Sequence, residues 1–195
     1  MARRSDARER MMGSAVELFR ERGVAATSLS DVVERGDAPR GSVYHYFPGG
    51  KAQLAEEATA RAGRDMAASL TALTAEHGPV GAFQAIVDDF RRQMLDSGFD
   101  AGCPVAAGAL AGGEAPAARE VAGEAFRTWE AALSAALWQY GLPLRRAEGL
   151  ATLSISAVEG ALVLARAQRS TGPLDRVREE MSALLGDLVA RRGDG

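Results

Sequence analysis

Thiols are almost missing from this chain: Cys103 is the one cysteine in 195 residues. That excludes an intrachain disulfide framework and any thiolate-rich metal site built within one chain. Aromatic side chains are sparse at 6%, and no segment sustains the apolar and polar alternation that a half-buried strand requires. No apolar run approaches the roughly 18 to 20 residues of a membrane-spanning helix, and the first ten residues, with Arg3, Arg4, Arg8 and Arg10 among them, lack the apolar stretch of a signal peptide. The expectation is a cytoplasmic chain with no membrane partner. No phosphate-cradling glycine loop and no histidine cluster at metal-ligand spacing occurs, so neither a cofactor nor a metal is expected.

Alanine, leucine, arginine and glutamate dominate instead, which predicts an all-α protein. Met12, Ala15, Val16 and Phe19 form an apolar stripe on a helix from about residue 5 to Arg22, stopped by Gly23. Ser28 and Asp31, three apart, form a variant of the capping box for a short helix over about 28–35, with Leu29, Val32 and Val33 facing inward. The run Arg35, Gly36, Asp37, Ala38 breaks it. Pro39 is placed to open a second short helix, because its missing N–H has no intrahelical partner in the first turn. Val43 and Phe47 would anchor that helix, and Pro48, Gly49 and Gly50 end it. Two short helices joined by a tight turn on a longer first helix make a helix-turn-helix unit.

A long helix follows from Lys51 to about Glu76, closed by Gly78 and Pro79. Further breaks predict helices near 80–96, 103–111, 115–140, 144–170 and 174–191, about nine in all. The expected division is a head over 1–50 and a larger helical domain over 51–195. Net charge is −3, unevenly spread: residues 1–51 carry nine basic and seven acidic side chains, leaving the remainder acidic. A mildly basic head beneath an acidic body is compatible with a phosphate surface as partner.

Thr27, Asp31, Val32, Gly41, Ser42, Val43, Tyr44, Phe47, Lys51 and Leu54 fall at offsets that resemble the helix-turn-helix of the TetR family of transcriptional repressors. Small, polar, aromatic and basic residues all sit where that pattern has them. The residue chemistry supports the same reading, since a recognition helix must bring its leading residues to base edges in the major groove. Pro39, Arg40, Gly41 and Ser42 would form that leading turn. Arg40 can donate two hydrogen bonds to guanine O6 and N7, and Gly41 has no side chain to hold the backbone off DNA. The resemblance implies phosphate contacts from Tyr44, Tyr46 and Lys51. Such contacts position a protein without reading sequence. Thr27, Ser28 and Ser42 add hydroxyls, and His45 is a further base or sugar candidate. One departure from the family is Asp37, which stands where the turn usually has glycine and needs positive φ; aspartate is among the few other residues that reach that region at limited cost.

The rest of the chain resembles the LmrA/YxaF-like subgroup of that family, through Gly102 to Val105, Phe126 to Glu130 and Glu159 to Arg166. The resemblance implies a ligand-responsive regulator with a small apolar or aromatic effector, bound to a palindromic double-stranded DNA operator as a homodimer. Met66, Leu70, Phe83, Val87 and Phe90, with Met94, Phe126, Trp129, Leu133 and Trp138, are candidate pocket walls, since such sites are mostly apolar; the ordinary alternative for each is core packing. Cys103 before Pro104 is either a pocket or redox-sensing thiol at a helix start or a packed, inert one. For the dimer interface, Ala157, Gly160, Ala161 and Leu164 form a close-packing stripe. Leu174, Val177, Met181, Leu184 and Leu188 give the last helix a broad apolar face, so two chains would make a four-helix bundle.

Two other classes compete. An enzyme would use Cys103 as nucleophile with His77 or His45 as base, but no carboxylate motif orients either histidine. A helical module that binds a protein partner would explain the low charge of the head and Asp37.

Overall fold

The computed structural model describes residues 2–39 and 41–190. Its elements are α1 (Ala2–Arg22), α2 (Leu29–Arg35), α3 (Val43–Tyr46), α4 (Gly50–Asp96), α5 (Pro104–Ala109), a 3-10 turn (Gly112–Glu114), α6 (Pro116–Gln139), α7 (Leu144–Gln168) and α8 (Gly172–Ala190). No strand occurs among the described residues, so the all-α expectation holds. By packing, the chain groups into two compact units, Met1–Arg64 with Gly102–Ala125, and Asp65–Ala101 with Phe126–Gly195.

The first unit is assembled much as its sequence signals. Gly23 ends α1 with φ 80°, and its N–H donates to the Phe19 carbonyl at 2.8 Å, a left-handed cap that only glycine adopts freely. Ser28 caps α2: its hydroxyl accepts from the Asp31 N–H while the Asp31 carboxylate accepts from the Ser28 N–H, a reciprocal capping box. Helices α1 and α2 cross tightly at Gly36, where a Cβ would lie 3.0 Å from the Val32 carbonyl and 3.3 Å from the Met11 nitrogen. Met11, Met12, Leu18 and Phe19 of α1 share one core with Val32 and Val33 of α2, Val43 and Phe47, and Leu54 of α4. Ala111, Ala115 and Ala118 complete it from a distant part of the chain. A head of some 50 residues is marginal alone, and these alanines supply the missing wall.

One element begins later than the proline suggests. Helical hydrogen bonding in α3 starts at the Ser42 carbonyl, which accepts from the His45 and Tyr46 N–H groups, and the Phe47 N–H closes on Val43. Pro39 lies ahead of the helix in a turn, its carbonyl accepting from both the N–H (2.8 Å) and the hydroxyl (2.7 Å) of Ser42. Pro39 therefore sets the turn rather than the first helical position.

In the second unit, α4 is interrupted at Gly78 (φ 67°, ψ 177°), immediately before Pro79. The two segments abut without a loop, so the eight α-helices among the described residues contain the nine helical stretches that the breaks in sequence predict. Helix α7 packs against α8, and Ala147, Leu150, Ala151, Ser154, Val158, Ala161, Leu162 and Ala165 are its buried residues. This helix also corrects the expectation that no segment has the length and composition to span a membrane: an 18-residue window of Leu144–Gln168 has mean hydropathy 1.5. Its apolarity comes from two opposite faces, since Leu153, Val163 and Leu164 lie outside while the buried set faces inward.

Gly78 meets two constraints at once, its positive φ and a Cβ position 2.8 Å from the Tyr140 hydroxyl and 3.1 Å from its ring. Gly78→Ala should destabilise the protein by about 1 to 3 kcal/mol in denaturant titrations. Gly149→Ala in α7, where a methyl meets open space, should be neutral or stabilising by up to about 1 kcal/mol; equal effects from both would refute this account of the break.

Candidate nucleic-acid interface and apolar pocket

Four residues cannot hold a helix by their own hydrogen bonds, so α3 takes its orientation from its anchors. Val43 and Phe47 are buried on its inner side, and the Arg8 guanidinium lies 5.3 Å from the centre of the Phe47 ring. The opposite side is consequently turned out. Tyr44 is 66% exposed, His45 is exposed and Tyr46 half-buried, and the His45 and Tyr46 rings meet edge to face at 5.1 Å. Pro39 and Gly41 are exposed as well, and a Cβ on Gly41 would meet nothing within 4 Å. Arg40 lies outside the described residues.

The turn between α2 and α3 is held from α1. Arg10 donates from Nε to the Gly36 carbonyl at 2.9 Å and from a terminal nitrogen to the Asp37 carbonyl at 3.1 Å, with Asp6 on its remaining side at 2.6 Å. Asp37 has φ 45°, the positive value expected of the position. Sequence reading missed Arg10 as the clamp; the spacing of Asp6 and Arg10 was the available signal. Arg35 grips Glu21 through two hydrogen bonds of 2.9 and 2.8 Å, which raises its already high pKa. The Asp31 carboxyl is held below its ordinary value, chiefly by the backbone N–H of Ser28, then by the Ser28 hydroxyl.

Several named candidates are placed differently from one another. Ser28 is exposed at the cap of α2. Thr27 is 1% exposed, and its hydroxyl donates to the Gly23 carbonyl at 2.8 Å. It ties the α1–α2 connection and does not face solvent, a correction to its placement among the surface hydroxyls; a threonine that caps a turn and one that meets phosphate look alike in sequence. The Ser42 proton is committed to Pro39. Lys51 donates to the Ala25 carbonyl at 2.9 Å and to the Glu114 carboxylate at 3.1 Å. Glu114 comes from the 3-10 turn 63 positions away, and no local pattern foretold it.

The second unit holds a small apolar pocket of about 50 Å³, partly open to solvent, lined by Met66, Leu70, Phe83, Ile86, Phe90, Trp129, Leu133, Ser154, Ile155, Val158 and Glu159. Six of the predicted wall residues are there: Met66, Leu70, Phe83, Phe90, Trp129 and Leu133. Val87 and Met94 are fully buried elsewhere in the core. Phe126 stands behind the wall, edge-on to Trp129 at 5.1 Å. Cys103 belongs to the first unit, where its buried sulfur caps α5 by accepting from the Ala106 N–H at 3.4 Å. The α7 walls were missed because α7 had been read only for its close-packing stripe. Ser154, Ile155, Val158 and Glu159, at successive steps of one, three and one, mark a second helical face that the sequence already displayed.

Of the dimer candidates, Gly160 and Leu164 are exposed, and Ala157, Val177, Leu184 and Leu188 are half-buried. Ala161 and Met181, like Leu174, are buried within the chain. They serve the core of the chain, since on two packed helices the inward residues alternate closely with the outward ones.

An all-helical chain with a short, outward-turned α3 on a helix-turn-helix head and an apolar pocket in a second helical unit has the layout of a one-component DNA-binding regulator. Residues 12–58 match the model of bacterial regulatory proteins of the tetR family, and residues 79–180 match that of the LmrA/YxaF-like transcriptional regulator C-terminal domain. The chain is 41% identical over 192 residues to the uncharacterized HTH-type transcriptional regulator Rv0196 of Mycobacterium tuberculosis, covering 94% of this chain and 97% of that protein. It is 32% identical to the uncharacterized regulator YxaF of Bacillus subtilis, covering 95% and 98%. Among solved structures, a TetR transcriptional regulator from Legionella pneumophila superposes with TM-score 0.81 at 23% identity, over 90% of this chain and 95% of that one. The chain belongs to the TetR family of transcriptional regulators, with a C-terminal domain of the LmrA/YxaF type, a family of regulators and not of enzymes.

Because Arg10 holds the backbone carbonyl of residue 37 and not its side chain, Asp37→Gly should keep the clamp and relieve the positive φ. It is expected to raise stability by about 0.5 to 1 kcal/mol in thermal melts; a loss of stability would mean that the aspartate side chain itself holds the turn.

Proposed function

We propose that the chain is a cytoplasmic repressor that binds a palindromic operator as a homodimer and is released by a small apolar or aromatic effector. Residues 1–50 read DNA, and residues 51–195 sense the effector and dimerise. The observation that carries this reading is the two-sidedness of α3: Val43 and Phe47 are sealed in the core while Tyr44 and His45 are turned out, beside the exposed Pro39 and Gly41. A short rigid segment offering hydroxyl and imidazole groups next to a bare backbone fits a major groove. Arg40 reads guanine, Tyr44 and Tyr46 meet phosphates, and Lys51 joins them by exchanging Glu114 for a phosphate oxygen.

The dimer is supported by the outer face of α7, where Leu153, Val163 and Leu164 are exposed around Ala157 and Gly160. Pairing of α7 and α8 with their copies would cover these residues in a four-helix bundle, and the two-fold axis would set two heads on successive turns of duplex. Release follows from a differential affinity: an effector must prefer the spacing of heads that does not fit the operator, commonly by ~1 to 3 kcal/mol. Helix α4 carries both Lys51 and the pocket residues Met66 and Leu70, so it is the element whose position the effector biases.

Fluorescence anisotropy against the intergenic DNA flanking the gene tests this reading. Arg40→Ala should relax base preference at one position per half-site, whereas Lys51→Ala should weaken all sequences alike and reduce the slope of log affinity against log salt by about 1. Absence of any sequence-preferring binding would overturn the regulator reading; a uniform loss from both substitutions would overturn the assignment of roles.

A further inference from the structure

We infer that Glu114 is an internal competitor for DNA: in the free chain its carboxylate holds the Lys51 ammonium in the place of a duplex phosphate, and so lowers the affinity of the head for DNA of any sequence. This rests on the reading of Lys51 as a phosphate contact and adds the residue that sets the strength of that contact.

Glu114 is built into its position. The three-residue turn that carries it, Gly112–Glu114, lies between Ala111 and Ala115, which are both buried in the core of the head. Gly112 has φ 62°, and a Cβ on either Gly112 or Gly113 would meet nothing within 4 Å, so the turn stands clear of the core between two anchors. Glycine supplies two of its three residues, which leaves Glu114 as the side chain the turn presents. That carboxylate accepts from Lys51 Nζ at 3.1 Å. Other ion pairs of the head, Arg8 with Glu57, Arg35 with Glu21 and Arg61 with Glu9, join α1, α2 and α4 to one another. The acid on Lys51 is instead brought by a turn 63 positions away, and the buried alanines already seat that turn without help from the pair.

The pair has the chemistry of a phosphate contact. An ammonium has three donors and no acceptor. Lys51 gives one of them to the Ala25 carbonyl at 2.9 Å, which fixes its nitrogen beside the α1–α2 connection without any acid, and another to Glu114. A phosphate oxygen needs the same donor as the carboxylate, and two anions repel when they share one ammonium, so the phosphate displaces the carboxylate rather than joining it. The pair lies at the surface, its side chains 29% and 56% exposed, where an ion pair is weak enough to be exchanged. Glu114 therefore weakens the contact and does not forbid it. Because a phosphate contact carries no sequence information, the loss falls on all duplexes alike.

Fluorescence anisotropy of the full chain, against the flanking intergenic duplex and an unrelated duplex of equal length, tests this through a double-mutant cycle. Glu114→Gln should tighten binding to both duplexes by about two- to fivefold, the range of a surface ion pair. In a chain carrying Lys51→Ala the same substitution should change neither affinity. Glu120→Gln, which removes one negative charge from an exposed position of α6, should leave both affinities within about twofold. Three results overturn the inference and leave the regulator reading standing: no gain from Glu114→Gln in a chain that Lys51→Ala weakens, a gain that persists without Lys51, or an equal gain from Glu120→Gln. Binding indifferent to Lys51→Ala removes the phosphate contact itself and overturns the inference with it. Absence of DNA binding by the unsubstituted chain takes the regulator reading as well.

Discussion

The burial of Val43 and Phe47 is the contact on which the functional face depends. A helix of four residues forms too few hydrogen bonds to offset its own ordering. It persists because these two side chains enter a core shared by α1, α2 and α4, each burial contributing about 1.5 to 3 kcal/mol as an upper estimate. Their insertion decides which side of α3 is left over, and Tyr44 and His45 are on it. The clamp from Arg10 to the carbonyls of Gly36 and Asp37 fixes the turn at the other end, so both ends of the recognition segment are held while its middle is offered to a partner.

Helix α7 shows how one element can serve two purposes. Its inner side supplies Ser154, Val158 and Glu159 to the pocket, and its outer side leaves Leu153, Val163 and Leu164 in water. A helix apolar on both sides resembles a membrane span by composition alone. In the proposed dimer the second apolar side is what a partner subunit would cover.

Local chemistry was legible in the sequence wherever it alone decides conformation. Gly23 stops α1, Ser28 and Asp31 cap α2, and Gly78 with Pro79 break α4 because each acts through its own backbone or its nearest neighbours. The start of α3 was not legible, because Pro39 is competent for either a first helical turn or the turn before it, and the Ser42 hydroxyl settles the matter by closing on the Pro39 carbonyl. Six of the pocket walls could be found from apolar spacing, whereas the α7 walls lie on a face that the sequence displays beside the close-packing stripe, without marking which of the two faces the pocket. Thr27 turns inward, and Ala161 and Met181 face the core, for a related reason: periodicity identifies a face but not what covers it. Lys51 with Glu114, and Arg10 with the turn, are pairings over long separations that no local pattern encodes.

The central claim is that the outer side of α3, and not some other surface, meets DNA. Nitration of tyrosines with tetranitromethane, read by peptide mass spectrometry with and without operator-bearing duplex, addresses it within one molecule. Tyr44 and Tyr140 are both exposed in the free chain and should both react. On adding the duplex, Tyr44 should become protected while Tyr140, on the second unit, reacts as before. Undiminished reaction at Tyr44 in a chain demonstrably bound to DNA would contradict the account.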